Sequence, residues 1–147
     1  MKTNETTTDT CNSLLRGELS AIETYTQAIE KFGANTAGSP LERIRADHES
    51  NAKALRAFVG EHGDEPATSS GPWGAFATAV EGIATLLGES PALAILEQGE
   101  EHGITVYERA LDDDDLDGSL KKLIRDELIP AQRDHLLDLK RCRSHVS

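Results

Sequence analysis

Aromatic residues are scarce in this chain: one Trp, two Tyr and three Phe among 147 residues. Alanine and leucine must fill the interior instead, which suits packed helices. There are only two cysteines, Cys11 and Cys142, near opposite ends of the chain. They make no Cys-x-x-Cys pair and no zinc spacing, so reduced thiols near helix ends are expected rather than a disulfide. No apolar run approaches the roughly 20 residues that a membrane span needs. Basic residues are outnumbered 15 to 26, for a formal net charge of −11. That balance argues against nucleic acid and against anionic membrane surfaces as partners. Residues 1 to 9 are polar, carry one lysine and hold no apolar segment. They do not read as a secretory signal, and a cytoplasmic location is expected. The length fits one domain over residues 1–147 with one sizeable core, and residues 1–9 are expected to fray.

What is present is a repeated pattern with a misplaced carboxylate. Leu14, Glu18, Ala21, Ile22, Tyr25, Ile29 and Phe32 fall at the three- and four-residue spacing of one helical face. Only Glu18 among them is charged. A carboxylate on a core stripe is costly unless it is paired, protonated or metal-bound. Gly99-Glu100-Glu101-His102-Gly103-Ile104-Thr105-Val106-Tyr107 repeats the motif of Gly17-Glu18 through Tyr25. Leu93, Leu96, Gly103, Ile104 and Tyr107 then form a second stripe with Glu100 on it.

Four long helices follow from the punctuation. Helix A is capped by Thr8, Asp9 or Thr10 and runs to about Phe32, where Gly33 stops it. Ser39-Pro40 opens helix B, which carries Leu41, Ile44, His48, Asn51, Ala52, Leu55, Phe58 and Val59 on one face and ends near Gly60 to Gly63. The apolar, glycine-containing stretch from Pro72 to Leu87 predicts a short helix in a B–C crossover, with Trp73 and Phe76 as its packing residues. Ser90-Pro91 opens helix C, which runs to about Leu111. Asp113, Asp115, Asp117 and Gly118 imitate an EF-hand start, but Ile124 stands at the twelfth position, so a solvated turn and helix cap is the reading. Helix D spans about Ser119 to Cys142 with a kink at Pro130. Its inward face reads Leu120, Leu123 or Ile124, Leu128, Gln132, His135 and Leu139.

Each stripe thus holds polar residues near mid-helix: Glu18, then His48 and Asn51, then Glu100, then Gln132 and His135. Carboxylates and imidazoles converging inside a four-helix bundle are the donors of a first-row transition metal site. On these residues, together with Arg-Gly-Glu-Leu-Ser-Ala-Ile-Glu-Thr-Tyr, Ser-Gly-x-Trp-Gly-Ala-Phe and Gly-Glu-Glu-His-Gly, the chain resembles the ferritin-like superfamily in the rubrerythrin neighbourhood. More narrowly, it resembles a bacterial ferritin-like family described only as a domain of unknown function. The resemblance covers residues 12 to 142. It implies an all-α, ferritin-like four-helix bundle made of two pseudo-repeated helix pairs. It also implies glutamates on helices A and C with Glu-x-x-His on B and D. Glu18 and Glu100 match; His48-x-x-Asn51 and Gln132-x-x-His135 depart, and two bridging carboxylates are lost.

Three functions are therefore weighed. One is a protein holding a single Fe, Mn or Zn ion with Glu18, His48, Glu100 and His135, with Asn51, Gln132, Tyr25 and Tyr107 close by. The second is a metal-free structural or interaction bundle built on a Glu–His network. The third, rubrerythrin-type di-iron peroxidase or oxidase chemistry, is disfavoured by the missing carboxylates and by the lack of a Cys-x-x-Cys electron-entry module. Asp47 and Glu49 lie about 100° from the direction of His48 and are set aside. Glu101, Glu127 and Asp134 would need a register change to join. His102, about 200° from Glu100, is placed at the surface or an interface. Bundles of this superfamily associate, so a homo-oligomer, a dimer first, is expected.

Overall fold

The computed structural model describes residues 2–32, 38–70, 82 and 87–146. These are all-helical, with no strand among the described residues. Four helical rods make a bundle: α1 (Lys2–Phe32), α2 (Gly38–Glu61), α3 (Glu89–Leu111), and a fourth rod of α4 (Gly118–Leu123), a wide-turned π segment (Ile124–Leu128) and α5 (Ile129–Val146). The short crossover helix expected over 72–87, with Trp73 and Phe76, and the stop at Gly33 lie essentially outside the described residues. No helix among the described residues is long and apolar enough to cross a membrane.

The helix starts differ from the sequence reading. Helix α1 begins at Lys2, ahead of the cap expected at Thr8 to Thr10. Thr7 and Thr8 are buried, and Thr7 Oγ1 accepts a hydrogen bond from the Asp117 backbone amide at 3.0 Å. The threonine-rich start is therefore helical and has a partner across the bundle; its hydroxyls satisfy another segment's backbone. Helix α3 begins one residue before Ser90, with Gly88 at a positive φ of 98° as its cap residue. Asp117 caps α4 through the Ser119 amide, as the turn reading expected.

The fourth rod is interrupted upstream of Pro130. Ile129 N–H reaches back five residues to Ile124 O, so the chain makes a wide turn over Ile124–Leu128. Proline has no N–H and its ring crowds the preceding turn; a widened turn relieves both problems. Glu127 stays exposed through this adjustment, as does Asp134 beyond it.

Packing pairs α1 with α2 and α3 with α5, while α1 and α3 touch much less. The apolar interior divides in two. One cluster holds Leu14, Leu15, Leu55, Val59, Leu120 and Ile124, with Tyr107 on its border. The other holds Phe32, Leu41, Ile44, Leu93, Leu96 and Leu139, with Tyr25 on its border. Between them lies a layer of buried polar residues: Glu18, His48, Glu100, Gln132 and His135. Two apolar blocks thus exclude water from both ends of one polar layer, where each unmet hydrogen bond costs about 1–3 kcal/mol.

Candidate metal centre

Glu18, His48, Glu100 and His135 of the polar layer join Tyr107 and Asp47 in a single hydrogen-bonded chain. Tyr107 Oη donates to Glu18 Oε1. His48 Nδ1 meets Glu18 Oε2 at 2.5 Å, and His48 Nε2 meets Glu100 Oε1 at 3.0 Å. The same Glu100 oxygen meets His135 Nδ1 at 2.7 Å, and His135 Nε2 meets Asp47 Oδ2 at 2.9 Å. Tyr25 stacks on the His48 ring at 5.5 Å, and the two imidazoles sit 4.8 Å apart between centroids. Every helical rod contributes: α1 gives Glu18, α2 gives Asp47 and His48, α3 gives Glu100 and Tyr107, and α5 gives His135.

An ionised carboxylate only accepts hydrogen bonds, so a ring nitrogen facing one must carry the proton. Both nitrogens of His48 face carboxylates. Burial would lower its pKa, but Glu100 and Glu18 outweigh that and raise it well above the usual imidazole value. Burial would raise the Glu100 carboxyl; His48 and His135 reverse this and hold it at about 2. The phenols of Tyr25 and Tyr107 are pushed up by burial first and by the neighbouring carboxylates second. Both tyrosines therefore stay neutral across the physiological range.

The sequence stripes brought Glu18, His48, Glu100 and His135 into one layer, but not around one point. His48 Nε2, Glu100 and His135 offer ligand atoms within 4.8 Å of one another, all buried. Glu18 lies on the opposite edge of the His48 ring, where it orients the imidazole. The second-tier residues divide as well. Tyr107 is bonded to Glu18, while Tyr25 Oη, Gln132 Oε1 and Asn51 Nδ2 are buried without a hydrogen-bond partner among the described residues. Tyr25 lies beside Glu100 but makes no hydrogen bond of normal geometry with it.

One residue overturns the sequence reading. Asp47, set aside because it points about 100° away from His48, is the partner of His135 Nε2. That rotation turns it toward α5, and periodicity within α2 carried no information on which helix stood there. Glu101, Glu127, Asp134 and His102 are exposed. His102 accordingly sits at the surface.

The donor set can be tested against one ion and against two. Ligand atoms sharing an ion at about 2.1 Å stand about 3.0–3.4 Å apart. The Glu100–imidazole distances of 2.7 and 3.0 Å open slightly to reach that, and the two ring nitrogens, which lie within 4.8 Å of each other, would draw together on the ion. Metal-bound imidazoles usually hold a carboxylate on their far nitrogen; Glu18 does so for His48, and Asp47 for His135. The residues fit one ion. They do not fit two, because the layer's buried carboxylates are Glu18 and Glu100, and both Glu18 oxygens are already engaged.

Both cysteines are free. Cys11 is buried within α1, and burial pushes its thiol up to about 12, so it is a packing residue.

A family model described as "Domain of unknown function (DUF2383)" matches residues 6–113. No curated protein and no solved structure matches the chain.

Proposed function

Because the chain belongs to the DUF2383 family of domains of unknown function, function has to be read from the site, and we propose a ferritin-like bundle that binds one divalent transition metal ion. The carrying observation is the buried convergence of His48 Nε2, His135 Nδ1 and Glu100 Oε1. Two imidazoles and one carboxylate suit zinc, iron(II) or manganese(II). Glu18 and Asp47 hold the imidazoles from behind.

Charge balance supports the reading. Without metal, His48 meets a carboxylate at each ring nitrogen, so both nitrogens carry protons and the cationic ring offsets charge on Glu18 and Glu100. With a divalent ion on its Nε2, His48 would give up that proton and the ion's charge would stand beside the same carboxylates, so they stay compensated in both states. When bound, the ion supplies Lewis acidity. The chain's part is to hold the ligands, keep both tyrosines neutral and exclude bulk water.

Elemental analysis of protein purified without chelator tests this. The proposal expects one iron, manganese or zinc per chain, lost in His135→Ala. No metal in the wild type, before or after loading, rejects it. A second reading is favoured by one observation: the Glu18–His48–Glu100–His135 chain is fully hydrogen-bonded as it stands. That reading is a metal-free structural bundle, which the same analysis separates.

A further inference from the structure

The polar layer has two sides. His48 and His135 belong to the α2 and α5 side. Glu18 and Glu100 also line a cavity of about 340 Å³ between α1 and α3. It exists because the facing helix surfaces are small: Gly17 and Ala21 on α1, Gly99 and Gly103 on α3. Leu14, Leu96 and Val106 add apolar surface, and Tyr25, Tyr107 and Gln132 join the carboxylates as polar groups. The size falls within the range of about 300–1,000 Å³ typical of small-molecule sites.

Two polar atoms of residues lining this cavity have no hydrogen-bond partner among the described residues: Tyr25 Oη and Gln132 Oε1. Their residues are 3% and 5% exposed. An unmet buried polar atom costs about 1–3 kcal/mol, and here two occur on one cavity. The Gln132 amide lies against Gly103, in the space a side chain there would take. A phenol can donate and an amide oxygen can only accept. A hydroxyl has the chemistry for either partner, accepting from the phenol or donating to the amide oxygen, whichever way the amide is turned. Glu18 and Glu100, on the same cavity, disfavour an anion.

We propose that the cavity between α1 and α3 binds a small neutral molecule with one hydroxyl head and a short aliphatic tail. The head sits at Tyr25 and Gln132, and the tail lies against Leu14, Ala21, Leu96 and Val106. This does not depend on a metal in the polar layer, so the two readings fail separately.

The test is calorimetric titration of the full chain, treated with chelator, against 1-butanol, 1-pentanol, 1-hexanol and hexanoate. One saturable site is expected, tightening about three- to fourfold per added methylene. Hexanoate should bind at least about tenfold more weakly than 1-hexanol, from the repulsion of two carboxylates. Tyr25→Phe should weaken every alcohol by roughly threefold to tenfold while leaving the increment per methylene intact. Gly17→Leu should abolish binding. A Cβ there meets nothing within 4 Å, so the variant should fold and melt at or above the wild-type temperature. The inference is overturned if no alcohol saturates, if hexanoate matches 1-hexanol, or if folded Gly17→Leu binds as well as wild type. It is equally overturned if a crystal soaked in 1-hexanol shows the space filled by the chain itself or by undisplaced water.

Discussion

Replacing Glu100 by Gln removes the acceptor on which both histidines converge. Glu100 Oε1 takes hydrogen bonds from His48 at 3.0 Å and His135 at 2.7 Å, all inside the bundle. Its carboxyl is held at about 2 against an ordinary 4.5. At about 1.4 kcal/mol per pH unit, that difference stabilises the metal-free fold by about 3 kcal/mol near neutrality. The variant also leaves the cationic His48 ring facing an amide that cannot balance its charge, and breaking a buried ion pair costs about 3–5 kcal/mol. Urea unfolding of chelator-treated protein at pH 6 should therefore show a loss of about 3–5 kcal/mol. With a slope of about 2 kcal/mol per molar, the midpoint falls by roughly 1.5–2.5 M. Glu101→Gln, one residue away and exposed, should stay within about 0.5 kcal/mol of wild type. A loss below about 1 kcal/mol at Glu100, or equal losses at both positions, would refute the claim that Glu100 is the pivot of the layer.

Other outcomes follow from the same geometry. Asp47→Asn should weaken metal affinity by about 10- to 100-fold, as losses of a carboxylate behind a ligating imidazole do, with little change in urea stability because the side chain is 58% exposed. The glycines on the cavity should respond differently. Gly17→Ala, where a Cβ meets nothing, should stabilise by up to about 1 kcal/mol by urea unfolding, whereas Gly103→Ala must displace the Gln132 amide toward the cavity and should gain less than Gly17→Ala. Metal-free stability should be greatest between about pH 4.5 and 6.5. The Glu100 contribution is present above 4.5 and is lost as pH falls toward about 2; the His48 contribution is present below 6.5 and is lost as pH rises through its raised value. An apparent metal affinity independent of pH between 5 and 7, measured in a competition assay, would contradict exchange of the ion for ring protons.

Much of this site was legible because a charge stands out on a greasy stripe. Glu18 between Leu14 and Tyr25, and Glu100 between Leu96 and Tyr107, read directly from three- and four-residue spacing. His48 and His135 read the same way from α2 and the fourth rod. All four are buried in one layer. What could not be read was relative placement across helices. The stripe gave no sign that Glu18 takes the far edge of the His48 ring. It also discarded Asp47, whose value depends on α5 standing beside it. The widened turn at Ile124–Leu128 was foreshadowed by Pro130 only as a kink, since proline announces a missing hydrogen bond and not how neighbouring turns make it good. The early start of α1 escaped for a related reason. A run of threonines has low helix propensity, and the burial of Thr7 and Thr8, with the Asp117 amide against Thr7, makes that segment part of the bundle.

The most direct test is anomalous diffraction from crystals of the metal-loaded protein, recorded on either side of the absorption edge of the ion used. The account predicts one peak per chain, within bonding distance of His48 Nε2, His135 Nδ1 and Glu100, with Glu18 and Asp47 outside its coordination sphere. Two peaks, a peak elsewhere, or none with those five side chains still hydrogen-bonded to one another, would contradict it.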